Sequence, residues 1–444
     1  MRMKRWTSWG AGEMWQTHGL PAVLAVLSAT VLVCTGTMTV IHAEAAPVRM
    51  QDGQVFDPEW YGAQYPDVTA ALGTDPAALY QHYQQFGAAE GRMPYAPDAD
   101  LSVVPDYQRT PVMQEGISYT EIADDDDSVT FTFAGDINMD PDFVAGQTIQ
   151  RYGLAGCFDA ASLSAMRDSD IFMLNNEFTY SANSNRNAKK WTFQARPARA
   201  ASLYDIGTDI VSLANNHVYD YGRTGFVSTL DTLDGIGMPY VGAGRNAEEA
   251  QRPHYYRAGS MTIAVIAATE IERMSAPATR GATATEPGVF RCYDPTALYN
   301  AIRDAKTKAD YCIVFVHWGT EQRKTPDESQ LRLAKGITDA GANLIIGDHS
   351  HCQETIGWIG DTPVVYSLGN FVFANYTRDT CLFRVTLRPS EGKMVRAEYL
   401  PLHCDAACRI TMPTGTARSA ALQREQALSP DVHISPDGEV TPRN

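Results

Sequence analysis

Apolar residues along the chain fall into short, nearly continuous runs separated by segments of helical period. The runs at 129–134, 171–174, 210–214, 262–267, 312–316, 344–346, 364–367 and 382–387 predict strands. Several are apolar at successive positions rather than alternate ones, which predicts burial on both faces. Between them, 226–233, 296–306 and 328–340 carry apolar residues at helical spacing. Strands alternating with helices predict an α/β fold over residues 128–402.

Four other segments differ in pattern. Residues 56–94 hold Trp60, Tyr61, Tyr65, Val68, Leu72, Leu79, Tyr80, Tyr83 and Phe86, enough for a small aromatic core across short helices. Asp57-Pro58 and Asp75-Pro76 predict helix starts, and Gly87 and Gly91 stops. Residues 95–127 are polar and end in Asp124-Asp125-Asp126-Asp127, predicting a solvated acidic linker. Residues 412–444 are rich in Thr, Pro, Ser and charge, which predicts a disordered tail. At the other end, Arg2, Lys4 and Arg5 precede an uncharged apolar run at 20–41, long enough to span a bilayer. Basic residues ahead of such a run stay cytoplasmic, so the rest of the chain is expected outside the membrane. Ala43-Glu44-Ala45 offers a cleavage site. Residues 1–46 therefore read either as a signal peptide or as an N-terminal membrane anchor.

Charge and cysteine content narrow the setting. The formal net charge of −16 leaves no basic excess to neutralise phosphates, which disfavours nucleic acid as a partner. Of the eight cysteines, seven lie beyond the apolar run, and no CxxC pair suggests a zinc ribbon. Cys404 and Cys408 are near enough in sequence to pair in an oxidising compartment, although spacing alone does not establish it.

The chemistry gathers where the strands end. The first runs into Gly135-Asp136-Ile137-Asn138, the second into Asn175-Asn176-Glu177, the third into Asn215-Asn216-His217. Later ones run into His317-Trp318-Gly319, Gly347-Asp348-His349-Ser350-His351 and Ser367-Leu368-Gly369-Asn370. In open α/β sheets, functional groups collect beyond the carboxyl ends of strands. Carboxylates with imidazoles form a donor set for Zn, Mn or Fe, and Asn can add a carbonyl. Each motif alone is commonplace; their shared placement predicts one polar site. Around it, Trp318 reads as packing or as a stacking platform. Tyr219, Asp220 and Gly222 read as turn residues, with Asp220 also able to fix the tautomer of His217. Lys189, Lys190 and Arg196 read as a solvated loop or as a grip on an anionic polymer.

In that order, FAGDINM, NNE, LANNHVYDYG, VHWG, GANLIIGDHSH and VVYSLGNFVF resemble the successive motifs of the bacterial CapA family, associated with poly-γ-glutamate capsule synthesis. That family is similar to calcineurin-like metallophosphoesterases. The resemblance implies an αββα sandwich with a divalent-metal site at one sheet edge, preceded here by a small helical module and an N-terminal membrane segment. It implies metal ligation by Asp136, Glu177, Asn216, His317, His349 and His351, and proton donation by His217. Two features depart from the phosphoesterase pattern and one from the family's own. Asn138 stands at a usual ligand His, Asn175-Asn176-Glu177 replaces a Gly-Asp motif, and Asp348 stands where the family commonly has His. Asn370 belongs to a family motif with no assigned role. Residues 56–94 separately resemble, through YPDV and HY…G…EGR, a short module of surface proteins from Gram-positive bacteria.

The expected function is synthesis, transfer or release of an anionic cell-surface polymer by an extracytoplasmic protein. Two alternatives stand beside it: a metal-dependent phosphoesterase, and a non-catalytic polymer-binding subunit of a membrane synthesis complex.

Overall fold

A computed structural model describes residues 47–49, 55–88, 90–96, 112–114, 117–122, 126–271, 280–373 and 376–443. The expected signal or anchor at 1–46 lies outside the described residues. No described helix is long and apolar enough to cross a membrane.

Two eight-stranded sheets face one another. The first runs Tyr240–Val241, Ile210–Ser212, Ile171–Asn176, Val129–Ile137, Arg378–Arg388, Lys393–Cys404 and Ile410–Thr411, with Asn370–Val372 also paired to Val129–Ile137. The second runs Ile356–Ile359, Thr362–Val365, Leu344–Asp348, Tyr311–His317, Met261–Thr269, His254–Ala258, Ile117–Ile122 and Val112–Gln114. Tyr240–Val241, Ile210–Ser212, Ile171–Asn176 and Val129–Ile137 run parallel in the first sheet, and Met261–Thr269, Tyr311–His317, Leu344–Asp348 and Thr362–Val365 in the second.

Alternation along each strand sends successive side chains to opposite faces. Phe131, Phe133, Ile171 and Met173 of the first sheet meet Ile263, Val265, Ile313, Phe315 and Ile346 of the second in the layer between them. Phe172, Leu174 and Val211 point outward onto Phe226, Leu230 and Leu233 of the helix Gly222–Ile236. On the far side, Val314, Val316 and Ile345 are covered by helices Thr296–Lys306 and Glu328–Ala340 through Leu298, Ile302, Leu333 and Ile337. The layering is helix, sheet, sheet, helix. Both faces of the central strands are covered, which is why most of their sequences are nearly continuous apolar runs.

In the small module, Asp57 and Asp75 cap helices Pro58–Gln64 and Pro76–His82 by accepting from Trp60 N and Ala78 N. Phe56, Tyr61, Val68, Leu79 and Tyr80 form its core, but Leu72 and Phe86 are exposed. Those two were expected inside; the core closes on aromatic rings from the other helix faces.

Two boundaries need correction. The segment expected as linker contributes strands Val112–Gln114 and Ile117–Ile122 to the second sheet, with Tyr119 and Ile122 buried. The tail expected to be disordered folds into helix Gly415–Leu428 and a hairpin of Val432–Ile434 with Val440–Pro442. Leu422, Val432, Ile434 and Val440 join the layer between the sheets. A polar composition hid four apolar anchors, each worth about 1.5–3 kcal/mol when buried. No disulfide joins the described cysteines, Cys404 and Cys408 included.

The tail also carries a buried acid. Glu425 Oε1 accepts from Ser429 Oγ at 2.8 Å, while Oε2 has no partner. Burial pushes this carboxyl up to about 7. A raised folded pKa means the stabilising contribution is full below the unfolded value, about 4.3, and is lost as pH rises through about 7. Glu425→Gln is therefore expected to remove this share of the pH slope. Above pH 7 it should stabilise the chain by an amount on the order of 3 kcal/mol. Urea unfolding between pH 4 and 8 measures this; parallel stability curves for the two proteins would rule out an ionising Glu425.

Candidate active site

The parallel strands of both sheets end at one edge, and the loops beyond them deliver the polar side chains. Asp136 closes the strand Val129–Ile137, and Glu177 and Asn216 follow Ile171–Asn176 and Ile210–Ser212. From the other sheet come His317, at the end of Tyr311–His317, and Asp348, His349 and His351. Close backbone approach is built in by glycine. A Cβ on Gly135 would lie 1.8 Å from the Gly369 carbonyl oxygen. With hydrogen there instead, Asp136 N donates to that oxygen at 3.0 Å. His349 and His351 sit at positive φ, 94° and 56°. Such backbone is strained for a non-glycine residue, and here it fans both imidazoles toward the same centre.

The two sheets meet through these groups. His317 Nε2 lies 2.7 Å from Asn216 Oδ1, 3.0 Å from His349 Nδ1 and 3.4 Å from Glu177 Oε1. A neutral imidazole nitrogen carries at most one proton, so one hydrogen cannot satisfy all three neighbours; a divalent cation satisfies every donor at once. His351 Nδ1 lies 3.2 Å from Asp136 Oδ2 and 2.8 Å from Asn370 Oδ1. Asp136, Glu177 and His351 form one group of converging donor atoms, and Glu177, His317 and His349 a second. Glu177 is common to both, and neither of its carboxylate oxygens has a hydrogen-bond donor.

Charge makes the same point. Asp136, Glu177 and Asp348 are wholly buried together. Burial raises Asp136, but the His351 imidazole beside it and the more distant His317 outweigh this and hold the carboxyl below its usual range. Burial, then the charges of Asp136 and Asp348, push Glu177 well above. Asp348 rises for the same reasons, burial first and Asp136 second. Burial holds His317 down to about 3 and His349 well below the usual imidazole value. For His351, contact with Asp136 overrides burial and raises it. Three clustered carboxylates with one imidazole favouring its charged form and two held neutral are poorly matched to one another and well matched to divalent cations.

The remaining candidates divide by role. Asn175 Nδ2 donates to Asp136 Oδ1 at 2.7 Å, and Asn175 Oδ1 accepts from Asn215 Nδ2 at 3.0 Å, so Asn175 buttresses rather than coordinates. Asn138 Oδ1 accepts from Asp140 N, and its Nδ2 is buried without a partner. Asp348 sits against Asp136, with Oδ1 accepting from His349 N at 3.1 Å and Oδ2 unpaired. Asn370 orients His351. Trp318 is fully buried, donates to Tyr366 O at 2.8 Å and cannot stack on a substrate.

His217 stands apart from both donor groups. Its Nδ1 lies 2.7 Å from Asp220 Oδ2. Burial lowers its pKa, and Asp220 only partly offsets this. Lys189 departs from the reading as a loop cation: its Nζ pairs with Asp220 Oδ1 at 2.5 Å and donates to Asn216 O at 2.8 Å. Phe193 and Phe373 form a wall, with ring centroids 4.3 Å from His217 and 4.8 Å from His351 respectively. The basic cluster marked Lys189 but not its pairing with Asp220, and nothing in the sequence marked these rings, because their partners lie tens of residues away.

Comparison with known proteins places the whole site inside one family. The family described as "Bacterial capsule synthesis protein PGA_cap" matches residues 130–375. The PGA biosynthesis protein CapA of Bacillus subtilis (strain 168) is 30% identical over 325 residues, covering 71% of this chain and 82% of that protein. The capsule biosynthesis protein CapA of Bacillus anthracis is 30% identical over 275 residues, covering 60% of this chain and 65% of that one. A solved phosphatase from Mycoplasma pneumoniae aligns with 62% of this chain and 94% of its own, at 11% identity and a TM-score of 0.41. With its strand-end motifs from Asp136 to Asn370 all within the matched segment, the chain belongs to the bacterial capsule synthesis family PGA_cap.

Proposed function

We propose that this protein works outside the cytoplasmic membrane in the synthesis, transfer or release of an anionic cell-surface polymer of the poly-γ-glutamate kind, through a metal-assisted site. The observation that carries this reading is Glu177, a buried carboxylate with no hydrogen-bond donor on either oxygen, shared by two groups of ligand atoms. Asp136, Glu177 and His351 would hold one divalent ion, and Glu177, His317 and His349 a second, with Asn216 beside the latter. Mn, Zn and Fe suit these donors. When bound, such ions polarise a scissile carbonyl or phosphoryl oxygen and lower the pKa of an attacking water.

The chain's own residues do the rest. Asp220 Oδ2 accepts a hydrogen bond from the His217 Nδ1–H, leaving Nε2 to exchange a proton with the reacting group. Lys189 neutralises Asp220 from its other oxygen, so that carboxylate orients His217 rather than stripping its proton. Phe193 and Phe373 narrow access for water.

The paired donor groups also support a second reading, a phosphoesterase of the metallophosphoesterase type acting on phosphate esters or polymers. Elemental analysis of the purified chain, followed by assays on poly-γ-glutamate and on a phosphodiester, tests both. Up to two ions per chain and cleavage or transfer of the polymer are expected. Turnover of the phosphodiester alone would establish the second reading. Absence of metal, with polymer binding and no turnover, would make the protein a binding subunit of a membrane synthesis complex. For location, protease shaving of intact cells should remove residues from 129 onward; complete protection in a protease-permeable envelope would contradict it.

A further inference from the structure

We infer that Lys190 and Trp191 form a subsite that grips the polymer beside the reacting centre, Lys190 on its carboxylates and Trp191 on its methylene stems. The inference rests on the polymer reading above.

The segment is pinned to the site from within the chain. Asn187 N donates to Asp220 O at 2.7 Å and Asn187 Nδ2 to Tyr219 O at 2.8 Å. Lys189 is tied to Asp220 and Asn216 as already described. The next two side chains project where nothing in the fold consumes them. Trp191 is 53% exposed, although burial is the usual fate of so large an apolar ring. Lys190 Nζ lies 5.1 Å from the Trp191 ring centroid, a cation–π arrangement that leaves the ammonium in solvent.

A line of rings connects this pair to the catalytic edge. Trp191 contacts Phe143 at 6.1 Å between centroids, Phe143 contacts Phe193 at 5.0 Å, and Phe193 contacts His217 at 4.3 Å. The exposed pair is thus the outer end of the wall whose inner end faces the proton-exchanging imidazole.

Its chemistry selects the ligand. A poly-γ-glutamyl chain alternates ionised α-carboxylates with apolar methylene pairs. Lys189 is already spent on Asp220, so Lys190 is the lysine of the pair left for an incoming anion. The molecule as a whole carries −16 and repels a polyanion, so a local cation is needed wherever the polymer must lie. A neutral polysaccharide would use the ring and ignore the ammonium.

The test is binding of poly-γ-glutamate to the full chain, by calorimetry at low salt and at about 0.15 M salt, where the screening length is about 8 Å. Trp191→Ala and Lys190→Ala are each expected to weaken binding about fivefold or more, and Lys190→Glu further. Lys190→Ala should also reduce the salt dependence. Bound metal and turnover of a small substrate should be unchanged in all three. Lys335→Ala, on the outer helix and paired with Asp339, is the control and should bind as wild type. Equal affinity of the subsite variants and the wild type would overturn the subsite alone. Dextran binding as tightly as poly-γ-glutamate would overturn the carboxylate assignment. No polymer binding by the wild type would remove the subsite together with the functional reading beneath it.

Discussion

Glu177→Gln is expected to abolish cation binding and turnover together, while making the metal-free protein more stable. Glu177 is the one side chain common to both donor groups, so its loss weakens both at once. A neutral amide offers no charge to a divalent ion. The rate should fall by more than the about 10²–10⁴ that a single positioned acid contributes. Stability should move the other way. In the metal-free chain Glu177 lies among Asp136 and Asp348, and burial with those charges already disfavours its ionised form. Removing the ionisable group removes that penalty. Thermal unfolding with and without Mn, Zn or Fe separates the two effects. Wild type should gain about 2.7 kcal/mol at a cation concentration 100 times its Kd. The variant should start higher and gain nothing. A variant that kept the full metal-induced shift would show that Glu177 is not the bridge between the two groups.

The eight strands expected from apolar runs are all present, and helices Thr296–Lys306 and Glu328–Ala340 fall at the expected residues. Most of those strands are covered on both faces, so their sequences carry little competing polar requirement; Arg378–Arg388, with Arg384 and Thr386 half-buried between buried neighbours, is the exception. Elements that sit at sheet edges or on one face were not legible. Lys393–Cys404 is buried at alternate positions with Lys, Arg and Glu between them, and Ile117–Ile122 follows a stretch that is polar in composition. Helix Gly415–Leu428 buries little besides Ala421, Leu422 and Glu425, so no apolar stripe announced it. At the site, the ligand-type residues were readable because each follows a strand. What the sequence could not tell was which of them face a shared centre and which support it. Asn175 and Asn216 have the same chemistry in similar motifs. Only the fold directs Asn216 to His317 and uses both ends of Asn175 on Asp136 and Asn215. Lys189 stood out as a basic residue, but its role was hidden for a related reason. Its meaning lies in Asp220, on a different loop.

His217→Ala should leave bound metal intact and slow turnover by about 10²–10⁴, whereas His351→Ala should lose metal and turnover together. The difference follows from placement. His351 belongs to a donor group with Asp136 and Glu177, while His217 belongs to neither group and has its Nδ1 committed to Asp220. Asp220→Asn sharpens the test, because an amide can present its NH₂ to Nδ1 and favour the tautomer with the proton on Nε2. The rate should then drop although His217 is present and metal content is unchanged. The loss should also exceed that from Lys189→Met, which removes a charge from the outer oxygen of Asp220 but leaves its contact with His217. Elemental analysis beside steady-state rates for the four variants decides the matter. If His217→Ala loses metal while His351→Ala keeps it, the assignment is reversed. If Asp220→Asn turns over like wild type, His217 exchanges no proton in the slow step, and the imidazole serves only to bind.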